Sequence, residues 1–238
     1  MKIMFKNRLL ISFLVTFFVL QMVSTLVFAE YKFIPPVLLN YKSVVNDRET
    51  VFIPQVYGMK DTAIQTDVNK ILSADIEIDL KNWEKNWPDM YKATQPEVRS
   101  GLHFSFTFDQ NYNKENILSV VMSEYSFAGG AHGMAFQYAH NIDLTNGKEI
   151  LLASLFNDTI DWKKMINAYI DNEIKYYQRD LKFDGIKEDQ NYYLSNQGLV
   201  IFFNPYEIGP WVEGMPTFAI PYRVISFAFS DKYKERLH

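Results

Sequence analysis

Apolar and polar positions change period several times along the chain, and each change marks an element. Residues 102–109 carry the plainest signal. Leu102, Phe104, Phe106 and Phe108 alternate with His103, Ser105, Thr107 and Asp109, the two-residue period of a strand with one buried face. A turn over 111–116 and the apolar run 117–127 predict the returning arm of a hairpin. Upstream, Asp61 opens a stretch at helical spacing. It sets Ile64, Val68, Ile71, Leu72 and Ile78 on one side, and Pro88 is expected to stop it after Trp83 and Trp87. Asp75, Glu77, Asp79 and Glu84 on this helix read as its solvated face. Residues 49–56 read as a strand in which Pro54 suggests an edge or a bulge, preceded by a lead-in over 30–48 with a further strand.

The second half follows Gly129-Gly130-Ala131-His132-Gly133, which reads as a tight backbone crossing with glycines at positive φ. A strand over 134–144 then meets Asn146-Gly147, a type I′ hairpin signal. Asp158 or Thr159 is expected to cap a second helix running to about residue 180, with Trp162, Met165, Ile166, Tyr169, Ile170, Ile174 and Tyr177 on its apolar face. Strands over 191–203 and 216–226 flank an irregular loop. Strand runs without strict alternation with helices argue against a doubly wound parallel sheet. The expected class is α+β: antiparallel sheets with two long amphipathic helices, in two α+β halves packed together. The halves are placed at 30–140 and 141–226, and 227–238 reads as a charged, solvated tail.

Composition and charge narrow the chemistry. The 238 residues include no cysteine, which excludes disulfide frameworks, thiolate zinc sites and a cysteine nucleophile. Lys2, Lys6 and Arg8 precede an apolar run from Leu9, and Val27-Phe28-Ala29 supplies small residues at a cleavage junction, so residues 1–29 read as a secretory signal peptide. The rival is an uncleaved anchor, since the run approaches the ~20 residues that span a bilayer. Either reading places the remainder outside the cytoplasm, in the secreted space or envelope of a bacterium, and only the anchor implies a membrane attachment. Residues 1–29 hold three of the 24 basic residues and none of the 28 acidic ones, so the mature chain carries 21 against 28, a net charge of −7. Without a basic run it is a poor nucleic-acid binder, and its acidity favours encounter with basic partners.

No cofactor or metal is indicated. His103, His132, His140 and His238 lack metal-ligand spacing, and no nucleophile elbow or phosphate-binding loop is present. The most unusual segment runs from Asn204 to Pro216, with Tyr206, Glu207, Trp211 and Glu213 on a framework of glycines and prolines. Rigid aromatics on such a loop suit a binding surface, although the same rings folded over the core would only complete the packing. These four residues and His132 are the candidate binding residues, and no catalytic residue is identified.

Four segments carry a family resemblance: Tyr125-Ser-Phe-Ala-Gly-Gly-Ala-His-Gly133, Asn141-Ile-Asp-Leu-Thr-Asn-Gly147, residues 193–210, and Phe218-Ala-Ile-Pro-Tyr222. Together they resemble the RsiV/PdaC-type extracellular domain family over most of residues 50–225. The family occurs in lysozyme-sensing anti-sigma factors and in the non-catalytic N-terminal part of peptidoglycan deacetylases. Eight residues before Leu9 are too few for a sigma-binding module, and no deacetylase domain with its Asp and His-x-x-x-His set is expected. The resemblance implies a secreted or envelope-associated binding module that recognises a cell-wall component such as peptidoglycan, or a basic lysozyme-type muramidase. Two alternatives stand beside it: a hydrolase of envelope glycan or peptide acting through loop carboxylates, and a purely structural domain. N-terminal sequencing of the mature protein is expected to begin at Glu30. An intact Met1 in the membrane fraction would show the anchor instead.

Overall fold

The computed structural model describes residues 37–237, so the signal-peptide expectation lies outside the described residues. The chain is α+β. A six-stranded sheet has the order β1 (Leu38–Val45), β2 (Glu49–Tyr57), β3 (His103–Lys114), β4 (Ile117–Phe127), β5 (Met134–Asp143) and β6 (Lys148–Glu149). A three-stranded sheet consists of β7 (Tyr192–Leu194), β8 (Gly198–Phe202) and β9 (Thr217–Pro221). Pairing is antiparallel except between β2 and β3, which run parallel through Glu49–Val51. The expectation of wholly antiparallel sheets is corrected by α1 (Thr62–Ala93), which carries the chain from the end of β2 back to the start of β3, the crossover that parallel neighbours require. Pro54 sits beyond that short pairing, so its missing N–H falls where β3 no longer runs alongside.

Helix α1 begins where the Asp61 carboxylate accepts the N–H groups of Ala63 and Ile64 at 2.9 and 3.1 Å. Its buried stripe is Val68, Leu72, Ile76 and Trp83. Ile78 is exposed, because it stands two residues from Ile76 and so projects from the far side of the helix. Pro88 does not stop the helix, which continues to Ala93. Pro88 faces solvent, where water can satisfy the displaced carbonyl, and the ladder Trp83–Trp87–Tyr91, with centroids 5.7 and 6.1 Å apart, spans the break. Trp83 also stacks on Phe104 at 5.7 Å, which fastens the helix to the sheet.

The two-residue turn with positive φ at both positions is Glu115-Asn116 (52° and 55°), between β3 and β4. At Asn146-Gly147 only Gly147 is left-handed (φ 68°), and both N–H groups turn back to the Asp143 carbonyl, so the expected type I′ turn is a longer loop. The segment 191–203, expected as one strand, is the hairpin β7–β8. Ser195 Oγ accepts the N–H groups of Gln197 and Gly198 and folds the chain back. β9 gives way at Pro221 to a helical turn, α3 (Tyr222–Ile225). The second long helix, α2 (Trp162–Tyr176), is capped by Asp161 and ends before residue 180.

Two hydrophobic cores result. One lies between α1 and the six-stranded sheet. The other is built by residues 150–237, with Tyr112 and Ile117 contributed from the β3–β4 hairpin. The boundary expected near residue 140 lies within β5. The tail expected to be solvated is packed. Tyr233, in α4 (Asp231–Lys234), and Leu237 stand four residues apart and are buried together. The Arg236 guanidinium reaches the Asp143 carboxylate at 2.9 and 3.1 Å and the carbonyls of Glu115 and Asn116 at 3.0 Å, and Lys232 joins Asp143 at 2.9 Å. Burial alone would raise the Asp143 pKa, but hydrogen bonds from Arg236, Lys232 and Thr145 hold it well below the usual carboxylate range.

Replacing Arg236 by Ala leaves that buried carboxylate with only Lys232 and Thr145 as partners, and is expected to cost roughly 3 kcal/mol of stability. Because the folded carboxyl titrates below its unfolded value of about 3.9, this stabilisation is present above that pH and is lost as the pH falls through the folded pKa. Thermal melts of the two proteins should therefore differ most near neutrality and converge in acid.

Candidate functional site

The loop between β8 and β9 is shaped by its small and polar residues. Asn204 exchanges hydrogen bonds with the Gln137 backbone, accepting from N–H at 2.7 Å and donating to C=O at 2.9 Å, so a side-chain amide fixes the loop root to β5. Glu207 accepts the Asn204 N–H at 2.6 Å and the Lys187 ammonium at 3.0 Å. Between them Tyr206 is held in the left-handed region (φ 69°), uncommon for a residue with a Cβ, and its ring is turned out to 57% exposure. A Cβ at Gly209 would stand 2.8 Å from the Leu181 Cδ2, so a larger residue there would have to push that methyl aside.

The structure brings His132, Trp211 and Tyr206 together. His132 stacks on Trp211 with ring centroids 4.6 Å apart and planes 20° from parallel, and Tyr206 lies 5.9 Å beyond Trp211. His132 comes from the 128–133 loop, which joins β4 to β5 as a hairpin and is not a strand crossing. Gly129 and Gly130 take positive φ there, while Gly133 gives way to Tyr125, whose hydroxyl would lie 2.4 Å from any Cβ. Half-buried Trp211 and exposed Tyr206 and His132 thus form a ledge, next to the 85% exposed Val212. A cavity of about 440 Å³ adjoins it, lined by Asp180, Lys182 and Tyr206 to Pro210. Glu207 lines this cavity and is already engaged by Lys187 and Asn204, while the Glu213 stem lies beside Gly209. Of the two loop carboxylates, only Glu207 lines the cavity.

A second cluster lies under α1. Asp79 hydrogen-bonds Glu124 of β4, with Asp75, Tyr138 and His140 around them. His140 is bound to Glu149 at 2.6 Å and stands 3.9 Å from Asp75. Burial, and then the Asp79 carboxylate, push the Glu124 pKa up to about 7, and burial likewise raises Asp79. Tyr138 is raised by burial and by the three surrounding carboxylates, and its hydroxyl has no hydrogen-bond partner among the described residues. Asp79 is thus not part of a solvated face. It occupies the stripe Leu72–Ile76–Asp79–Trp83, and Glu124 continues the inward row Leu118–Val120–Met122, so an acid at a core-facing position was the signal in each case. Among the described residues no group of three or more His, Asp or Glu is arranged to hold a metal ion.

Residues 44–135 match the family described as deacetylase PdaC, and residues 153–223 match the protein family of unknown function DUF3298. The crystal structure of a DUF3298 family member from Bacteroides fragilis superposes with a TM-score of 0.67 at 15% identity, covering 84% of this chain and 96% of that one. A DUF3298 family protein from Pseudomonas aeruginosa gives 0.59 at 16% identity, covering 83% and 96%. At these identities the likeness is one of fold. No curated protein is detectably similar to the chain.

The carboxyl pair makes a stability prediction. Folding raises the Glu124 pKa above its unfolded value of about 4.3, so its contribution is fully present below that pH and is lost as the pH rises through about 7. Glu124→Gln, which keeps the shape without the charge, should melt higher than the parent protein at pH 8. The advantage should shrink as the pH falls through this window and vanish only below about pH 4, as followed by circular dichroism.

Proposed function

We propose that the chain, whose residues 44–135 and 153–223 match the deacetylase PdaC and DUF3298 families, acts as a secreted or envelope-associated binding module. The ligand is a cell-wall glycan or a basic lysozyme-type muramidase, and the contact surface is the ledge of His132, Trp211 and Tyr206. The observation that carries this reading is the 4.6 Å stack of His132 on Trp211, with Tyr206 beside it also lining a cavity of about 440 Å³. Exposed rings held rigidly on a constrained loop lose little side-chain entropy on binding and offer large contact areas, the usual traits of an interface anchor. The strained backbone at Tyr206 supports the same reading, since strain of this kind collects at ligand-binding loops. A net charge of −7 after removal of residues 1–29 would speed encounter with a basic protein.

Hydrolysis is the second reading, and one observation favours it: in the Asp79–Glu124 pair burial raises both carboxyls, Glu124 to about 7, the kind of perturbation found in groups that transfer protons. The cavity beside the aromatic ledge is not lined by either residue, which makes binding the better supported function.

Calorimetric titration with a basic lysozyme and with soluble peptidoglycan fragments, each at about 0.1 M and 1 M salt, separates the ligands. Muramidase binding should weaken with salt as the Debye length falls from ~10 to ~3 Å, whereas binding of a glycan should change little. Trp211→Ala should cost about 2 kcal/mol with the bound ligand and leave the salt dependence unaltered, and Glu213→Gln should chiefly flatten the salt dependence. Absence of heat with both ligands at micromolar concentrations would overturn the reading.

A further inference from the structure

Strand β1 presents an open edge. Among the described residues it pairs with β2 on one side and with no strand on the other. It is also unusually apolar for an outer strand, with Leu38, Tyr41, Val44 and Val45 exposed by 56, 52, 36 and 64%. An edge of eight residues exposes a row of backbone donors and acceptors that take up a further strand. Their direction is fixed at Tyr41. This residue lies opposite Pro54, yet its N–H bonds the Asn40 side chain at 2.8 Å, and the Pro54 carbonyl accepts from Gln55 at 2.8 Å. The two backbones therefore do not bond each other here. By the two-residue period, the backbone groups of Leu39, Tyr41 and Ser43 face the open side, where an incoming strand would displace the exposed Asn40 side chain from the Tyr41 N–H.

We propose that β1 pairs antiparallel with β1 of a second copy of this chain, joining the two large sheets across a two-fold axis at Tyr41. Opposed residues in such a pair must project to the same face, so the axis has to pass through a residue and not between two. An axis through Tyr41 sets Leu38 opposite Val44, Leu39 opposite Ser43 and Asn40 opposite Lys42, and places the two Tyr41 rings side by side. Apolar meets apolar at both ends and no like charges face each other. An axis through Lys42 would oppose two ammonium groups and set Asn40 against Val44, and one through Asn40 would leave Val44 and Val45 uncovered. The pairing is bounded at Leu38, since the Val37 N–H and C=O are already bonded to the Asn113 amide at 3.0 and 2.9 Å. This self-complementarity is what selects a second copy over an unrelated strand.

Sedimentation equilibrium of the purified chain at tens of micromolar should give twice the monomer mass. Tyr41→Glu places two carboxylates on the axis and should return the monomer mass, with circular dichroism and melting temperature showing that the fold is kept. Because the chain has no cysteine, Tyr41→Cys introduces its sole thiol. Facing Cβ atoms lie about 5 Å apart in such a pair, so a short bis-maleimide should link two copies. Ile78→Cys, exposed on α1, should stay unlinked under the same conditions. A monomer at every concentration, a dimer indifferent to Tyr41→Glu, or equal linking at positions 41 and 78 would each overturn the proposal.

Discussion

The structure turns on a buried polar seam between its two sheets. Ser119 Oγ donates to Asn141 Oδ1 at 2.7 Å and accepts the Leu194 N–H at 3.0 Å, while Asn141 Nδ2 donates to the Tyr192 carbonyl at 2.8 Å. Two side chains on neighbouring strands β4 and β5 thereby bond the backbone of β7. Each such bond contributes only about 1 kcal/mol net, but a slip of the small sheet would leave several buried polar groups unpaired at about 1–3 kcal/mol each. The seam thus selects one register where apolar contact alone would tolerate several. Tyr192, whose hydroxyl bonds the Ile150 carbonyl, extends the same constraint toward β6.

What the seam positions is the aromatic ledge. With β7 and β8 held against β5, the loop after β8 emerges beside Gln137, where the Asn204 amide locks it. Only then do Trp211 and Tyr206 reach His132, which is 79 residues before Trp211 in the chain. The C-terminal segment closes the second core from the other end. Arg236 satisfies the turn carbonyls of Glu115 and Asn116 together with Asp143, and Tyr112 donates to the Arg236 carbonyl at 2.6 Å.

The two carboxylate clusters show opposite uses of burial. Asp143 is surrounded by cationic donors and stays ionised, so it acts as a clamp. Glu124 and Asp79 face each other beside Tyr138, and burial raises both carboxyls, so their contribution to stability depends on pH. Both clusters occupy positions that an apolar residue would fill by spacing alone.

The sequence by itself determined the class, the long helix from Asp61, the Phe104–Phe106 strand with its returning arm, and the family resemblance. Each of these rests on local periodicity or on contiguous motifs, and local physics does not need to know what lies across the fold. It misplaced Ile78 and Asp79, read 191–203 as one strand, and took the tail for solvated. Those outcomes depend on which neighbour arrives from elsewhere: Glu124 against Asp79, Ile220 crowding Gly198, and Asp143 receiving Arg236 from 93 residues away. The same division holds at the candidate site. Tyr206, Glu207, Trp211 and Glu213 stood out by composition, but only tertiary structure stacked His132 on Trp211 and spent Glu207 on Lys187, because ring contacts and ion pairs form between elements whose separation along the chain carries no record of their distance in space.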